Sequence, residues 1–453
     1  MCGIVGYVGS RDATSIIVEG LRRLEYRGYD SAGLAVVQDG CLTRRRAVGK
    51  LTNLDQVLAE QPVRGTVGIG HTRWATHGGV TEANAHPHTD CTGDVVVVHN
   101  GIVENYLELK RELRAQGHTF SSETDTEVIA HLIEQNYSDG GTLLDAVRRS
   151  LQRLQGFNAV VVLSLRETDT LIAARLGNAG GVVVGRGAGE MFLASDVPAL
   201  LGHAQQVIFL ENREMVAVNR EGARFWSLDG TPLDKEWQDI PWDPVSVAKE
   251  GYKHFMQKEI YEQARSAADV IRGRVDFEEG RVHLDLGIPA EVLRRVERIY
   301  SVACGTAWHA ALVGKFMIEE LARLRVEVDY GSEFRYRNPL LDERSLLLAV
   351  SQSGETVDTL AAMDKARQCG VPTIAVVNVV GSEASRIADG VVYMRAGLEI
   401  GVAASKTFTS QMLAQYLLAM YLGQLRETLS PERARALLTD LVELPNHNGE
   451  VLC

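Results

Sequence analysis

The sequence predicts a chain of two unlike parts. One is an α+β domain of stacked antiparallel sheets with helices, over residues 1–239. The other is an α/β doubly wound domain with a parallel sheet, over residues 292–430. Three observations carry this. Up to about residue 239, many short β runs bounded by Gly, Asn or Asp come with only two clear helices. From about Arg298, strands that are apolar throughout alternate with helices, the pattern of a parallel sheet covered on both faces. Apolar residues make up 45% and charged residues 23% of the 453, close to the globular average.

Taken in order, Ile16, Ile17, Leu21 and Leu24 share one helical face and predict a helix ending near Arg27-Gly28. Leu34–Val37, Val67–Ile69, Val95–Val98, Val160–Leu163, Val182–Val184 and Val207–Leu210 predict strands. Thr124 and Glu127 have capping-box spacing ahead of Ile129, Leu132 and Ile133. Pro241 and Pro244 break the chain, so 240–291 is expected to be a connection with a docked helix around Phe255 and Ile260. Beyond it, strands are expected at 299–303, 345–350, 372–378 and 390–394, with helices through Leu312–Leu321, Val357–Gln368 and Ser405–Leu425.

Composition excludes several functions. With 47 Lys plus Arg against 59 Asp plus Glu the net charge is −12, and Arg44-Arg45-Arg46 is the longest basic run, so neither nucleic acid nor a membrane surface is an expected partner. No apolar run approaches the roughly 20 residues of a membrane span. The N-terminus lacks the pattern of a signal peptide, and a cytoplasmic location is expected. Six cysteines without a C-x-x-C pair make neither a disulfide framework nor a zinc ribbon.

Several residues invite chemistry, each with a plain alternative. Once Met1 is removed, Cys2 carries a thiol and an α-amine that can act as its base; otherwise it is a small apolar residue near a terminus. Arg73 in His71-Thr72-Arg73-Trp74-Ala75-Thr76-His77-Gly78 can hold a carboxylate bidentately, with Thr76 and His77 adding hydrogen bonds, or form an ordinary salt bridge. His71, His77, His86 and His88 fit no standard zinc spacing, so no metal is expected. Asn100-Gly101 suits a hairpin turn or an oxyanion hole. Asp125 is a favourable acid at a helix start or a partner for an ammonium group. Ser351-Gln352-Ser353-Gly354-Glu355-Thr356, between a strand and a helix, is a capping segment or a phosphate site without a Walker or dinucleotide pattern.

In combination and order these segments resemble a known family. Cys2-Gly3-Ile4-Val5-Gly6, Leu24–Gly33, the Arg73 segment, His99-Asn100-Gly101 and Glu123-Thr124-Asp125 are similar to the N-terminal-nucleophile glutaminase domain of class II amidotransferases. Within that class they look like the glutamine–fructose-6-phosphate aminotransferases, and the likeness continues through Ser195-Asp196 and Tyr252–Met256. The resemblance implies that Cys2 attacks the glutamine amide, releasing ammonia and leaving a glutamyl thioester. Asn100 and Gly101 would form the oxyanion hole. Arg73, Thr76 and His77 would hold the glutamine carboxylate and Asp125 its amine, with Trp74 in a lid. The later part looks like the first sugar-isomerase (SIS) lobe of that family. There Thr306, Ser351, Gln352, Ser353, Thr356, Val402 and Ser405 would hold fructose 6-phosphate. Ala307 and Ala404 stand where hydroxyl residues are common, which puts two sugar contacts in doubt.

The implied reaction transfers ammonia to fructose 6-phosphate and isomerises the product to glucosamine 6-phosphate, without a cofactor, in a homodimer. The resemblance divides the chain into a glutaminase domain (1–239), the connection (240–291), a first SIS domain (292–430) and the start of a second SIS lobe (431–453). Residues 298–453 offer no evident acid–base group for the proton shift, so an impaired synthase half is expected in this chain. A glutaminase or a phosphosugar-binding regulator without synthase activity is the alternative, and another class II amidotransferase a third.

Overall fold

The computed structural model describes residues 2–25, 28–137, 141–177, 181–239, 251–401 and 403–452. Arg27, Pro241, Pro244 and Val402, which the sequence singles out, lie outside them. The chain separates into two compact units, Met1–Val247 and Ala248–Cys453.

The first unit is built on two antiparallel sheets. Gly3–Val8 runs between Val67–Arg73 and Glu190–Ala194 near the middle of an eight-stranded sheet. Val95–Gly101, Asn158–Ser164, Glu167–Leu176 and Glu214–Asn219 belong to a seven-stranded one. The four valines at 95–98 show why the strands read as continuous apolar runs. Val96 and Val98 join Ile4, Ile69, Val161 and Leu193 in the core between the sheets. Val95 and Val97 face the other way, against Val128, Leu132 and Val147 of the helices Glu127–Asn136 and Leu143–Leu151. Helix Ala13–Leu24 buries Ile16, Ile17, Leu21 and Leu24, the stripe expected of it. Its N-cap, Asp12, accepts from the Ser15 N–H at 3.2 Å.

One local expectation resolves differently. Glu127 does not complete a capping box with Thr124; its carboxylate accepts instead from the N–H and hydroxyl groups of Ser121 and Ser122, at 2.7–2.8 Å. Arg44–Arg46 lies in strand Cys41–Val48, where Arg44 donates to the Pro87 carbonyl and Arg46 to those of Ala83 and Ala85. The basic run therefore props a loop.

The second unit has a five-stranded parallel sheet in the order Arg325–Tyr330, Arg298–Ala303, Ser345–Ser351, Thr373–Val377, Gly390–Tyr393. The first strand of this sheet in chain order, Arg298–Ala303, thus has its successors on either side, which makes a switch point beside Ser345–Ser351. Ala307, Ala311 and Ile318 of helix Thr306–Leu321 join the core on one face; Leu360 and Met363 of helix Val357–Gln368 join that on the other. Helix Gln263–Ile271 contributes Ala267, Val270 and Ile271 to the former core, and helix Pro431–Leu452 contributes Ala434, Leu438 and Leu441. Segments flanking 292–430 are therefore integral to this unit's packing. No helix among the described residues is long and apolar enough to cross a membrane.

Candidate active site

The site in the first unit forms where the central strands of both sheets end. Cys2 precedes strand Gly3–Val8, whose entry is pinned by a reciprocal pair. The Ile4 N–H donates to Ser195 Oγ at 3.0 Å, and the Ser195 N–H to the Ile4 carbonyl at 3.0 Å. Cys2 Sγ accepts from the Trp74 N–H at 3.1 Å. Burial pushes the thiol up, while that N–H and the Arg73 charge pull it down. A thiol in this setting stays protonated until a base takes its proton.

Asn100 Nδ2 donates to the Cys2 carbonyl at 3.0 Å. Its orientation is set from behind by His71. His71 Nε2 lies 3.0 Å from Asn100 Oδ1 and 3.1 Å from the His99 carbonyl. Both are acceptors, so Nε2 carries the proton and the Asn100 amide is locked with its NH2 toward Cys2. Burial pushes His71 down to about 3, keeping the ring neutral. Replacing His71 with Leu leaves two acceptors unpaired, at about 1–3 kcal/mol. The expected result is a fall of about 10–100-fold in glutaminase kcat with little change in glutamine KM. An unchanged kcat for H71L would show that Asn100 is oriented by something else.

Gly101 explains itself by space. Its φ is +128° and an added Cβ would stand 2.0 Å from the Phe157 carbonyl oxygen, so only glycine passes there. Asn100-Gly101 closes strand Val95–Gly101 and is not a hairpin turn: Asn100 pairs with Ala159 and Gly101 with Asn158.

Arg73 is buried, with its guanidinium donating to the His77 carbonyl and, at 3.2 Å, to that of Gly79. The charges of Cys2, Asp125 and Asp30 partly offset the burial that lowers its pKa. Trp74 is 42% exposed and packs edge-on against Tyr29. Thr76 is exposed, and the His77 ring meets Tyr106 edge-on at 5.3 Å. Asp125 precedes helix Glu127–Asn136 and accepts from the Val103 N–H at 2.8 Å.

Four supports were given no role of their own in the sequence. Asp30 accepts from the Ala75 N–H at 2.8 Å, and Glu123 from the Gly79 N–H and Asn84 Nδ2 at 3.2 and 3.0 Å, so the loop carrying Trp74–Gly79 is held on both sides. His99 joins Thr126 Oγ1 and Asn158 Oδ1, each at 2.9 Å, and His86 reaches the same Thr126 hydroxyl at 3.0 Å. These histidines form a buried stack behind Cys2, His71 on His86 at 4.1 Å between ring centres.

In the second unit the sugar-phosphate candidates lie along the carboxyl ends of the strands. Thr306 opens its helix just beyond Ala303, and Ser351–Thr356 follows the neighbouring strand. Ser351 Oγ accepts from the Gly354 N–H at 3.1 Å and lies 3.2 Å from Thr356 Oγ1; Ser353 Oγ accepts from the Glu355 N–H at 3.2 Å. The Gln352 carbonyl accepts from the Asn378 N–H, and the Asn378 side chain binds Ala396 and Gly397, which ties three successive loops to one edge. Ser405 gives its N–H to Glu399 Oε1 at 2.9 Å, and its hydroxyl is buried with no partner among the described residues.

Residues 292–421 match the SIS domain family and residues 59–221 the glutamine amidotransferase domain family. A Clostridium acetobutylicum protein named glutamine–fructose-6-phosphate aminotransferase [isomerizing] is 45% identical over 452 residues, covering 100% of this chain and 74% of the relative. Proteins of the same name from Symbiobacterium thermophilum and Thermus thermophilus are 49% and 48% identical, again over 100% of this chain and 74% of theirs. The chain belongs to the glutamine–fructose-6-phosphate aminotransferase (isomerizing) family. Its first unit is accordingly an N-terminal-nucleophile glutamine amidotransferase domain and its second contains an SIS domain.

Proposed function

We propose that this chain converts glutamine and fructose 6-phosphate to glutamate and glucosamine 6-phosphate, with Cys2 as the nucleophile. The observation that carries the residue assignment is the Asn100 amide, 3.0 Å from the Cys2 carbonyl and locked by His71 with its donors toward the nucleophile. With Met1 removed, the Cys2 amine takes the thiol proton and Sγ attacks the amide carbon. The developing oxyanion accepts from Asn100 Nδ2 and the Gly101 N–H. Collapse of the intermediate transfers a proton to the leaving nitrogen and releases ammonia. Water then hydrolyses the thioester to glutamate.

Arg73, with Thr76 and His77, takes the glutamine carboxylate, Asp125 takes the ammonium group, and Trp74 covers the site from water. In the second unit, Thr306, Ser351, Gln352, Ser353, Thr356 and Ser405 hold the sugar phosphate at the helix N-terminus of the switch point; Val402 belongs to the same assignment but lies outside the described residues. A cytoplasmic homodimer working without a cofactor completes the proposal.

The test is to incubate the Met1-processed chain with both substrates and quantify glutamate and glucosamine 6-phosphate together. Glutamate in excess of glucosamine 6-phosphate is expected, because residues 298–453 offer no evident acid–base group for the proton shift; equal amounts would show a complete synthase. Glutamate without aminosugar would leave the glutaminase reading standing and remove the synthase from this chain. Neither product would overturn the Cys2 assignment.

The sugar-phosphate loop has its own test at Gly354. Its φ is +66° and an added Cβ would lie 2.2 Å from Ser382 Oγ and 2.6 Å from Ser382 Cβ. Gly354→Ala is expected to raise the KM for fructose 6-phosphate at least about tenfold through backbone strain and displacement of the loop. Glutamine hydrolysis measured without sugar should be unchanged. An unaltered KM would place the phosphate elsewhere.

A further inference from the structure

Away from Cys2, four side chains from three separate stretches of the first unit converge. Cys91 sits in the turn between His88–Thr89 and Val95–Gly101, and His118 follows helix Tyr106–Ala115. His131 and Glu134 are one turn apart on helix Glu127–Asn136. One donor atom from each residue lies within 4.8 Å of all the others. Cys91 Sγ is 3.7 Å from His118 Nδ1 and 3.5 Å from His131 Nδ1. Glu134 Oε2 is 2.9 Å from His118 Nδ1 and 3.1 Å from His131 Nδ1.

Zinc bonds of about 2.0–2.3 Å require ligand atoms about 3.3–3.8 Å apart. The sulfur–nitrogen distances already meet this, the nitrogen–oxygen pairs need to open by about 0.2–0.4 Å, and the remaining pairs, within 4.8 Å, need to close by no more than about 1 Å to reach a tetrahedron. One thiolate, two imidazoles and one carboxylate also form a donor set suited to zinc. We propose that Cys91, His118, His131 and Glu134 form a structural zinc site closed by protein ligands.

The surroundings fit such a role. Cys91 Sγ accepts from the Thr119 N–H at 3.4 Å, a bond that favours thiolate sulfur. The far nitrogen of His131, Nε2, faces Glu127 Oε1 at 3.8 Å, and that carboxylate is itself fixed by Ser121 and Ser122. A carboxylate behind a ligand histidine is the usual outer partner of a metal-bound imidazole. Glu134 Oε2 receives His118, His131 and the Cys91 N–H together, three groups crowded on one oxygen. An ion at the centre turns that competition into ligation. None of the four is among the groups assigned to glutamine, and His118, His131 and Glu134 are not among the histidines whose spacing argues against a metal.

The site would act at a distance by holding scaffold. It fastens the turn entering strand Val95–Gly101, which ends in the proposed oxyanion donors, to the helix that follows Asp125. Zinc binding would therefore stabilise the spacing between the two ends of the glutamine site without touching substrate.

The test is metal analysis of the purified full chain after desalting under reducing conditions, with cobalt substitution alongside. The expected result is about one zinc per chain, and a cobalt form with tetrahedral d–d bands and a thiolate charge-transfer band. Cys91→Ser should abolish the charge-transfer band, and His118→Gln should lower zinc occupancy. A chelator should lower the melting temperature of the parent chain and leave that of both variants unmoved. The cobalt titration of the parent chain needs no variant to fold. Less than about a tenth of an equivalent of zinc, together with no cobalt spectrum on titration, would overturn the proposal. So would a charge-transfer band that survives in C91S.

Discussion

Cys2→Ala is expected to lose glutamine hydrolysis by at least about 10⁴-fold, because it removes the group that forms the covalent intermediate and leaves only binding and oxyanion stabilisation. Melting should hardly change, since the thiol makes one hydrogen bond from a backbone N–H and one weak contact to a carbonyl, both at Trp74. The measurement is glutamate release from glutamine alone, with melting as the control for folding. Cys2→Ser sharpens the test: its hydroxyl occupies the same place but gives up its proton far less readily than a thiol. A serine variant with more than about a hundredth of the parent rate would argue against thiolate attack.

Acid should unfold the first unit steeply. His71, His86, His88 and His99 are all buried, and burial lowers each of them, His71 and His88 to about 3. Free imidazole titrates near 6.5, so below that value the unfolded chain takes up protons that the folded chain refuses. Stability contributed by the neutral rings is complete above about pH 6.5 and falls as pH drops toward the folded values. His71 and His88, held near 3, each account for about 1.4 kcal/mol one unit below 6.5, about 3 kcal/mol together, and His86 and His99 act in the same direction. That is a large fraction of the stability of an ordinary domain. Urea unfolding followed between pH 7 and 5 should show the midpoint falling steeply, with an uptake of about two protons or more. A flat midpoint over that range would mean the stack accepts protons while folded.

The residues proposed to carry chemistry were more legible than the scaffold that aims them. Cys2, Arg73, Asn100 and Asp125 each have a plain alternative when taken singly, and stand out through their combination and order. His71 does not: its value lies in one imidazole proton shared between Asn100 and the His99 carbonyl, which no spacing reveals. Thr126 is similar, since its hydroxyl turns away from capping to meet His86 and His99. In the second unit, the buried strands 298–303 and 345–351 were plain as apolar runs. The edge strand Arg325–Tyr330 was not, because one side is open and Arg325, Glu327 and Asp329 interrupt its valines. Helix Leu51–Glu60 was hidden for another reason: its N-cap is Lys50, with no side-chain bond to mark the start. The Cys91 cluster was invisible because its members come from three separate stretches of the chain at spacings that match no metal pattern.

Arg73 already has occupants in its grip, the carbonyls of His77 and Gly79. A carboxylate arriving at that guanidinium must displace neutral acceptors belonging to the loop that bounds the site, and the charged acceptor wins. On this assignment, substrate charge works as a key that frees His77 and one hold on Gly79, while Glu123 and Asn84 keep Gly79 in place. Glutamine then loosens the His77 end of this segment by binding. An analogue whose α-carboxylate is replaced by an amide would leave it latched, and amide hydrogen exchange at the loop would tell the two apart.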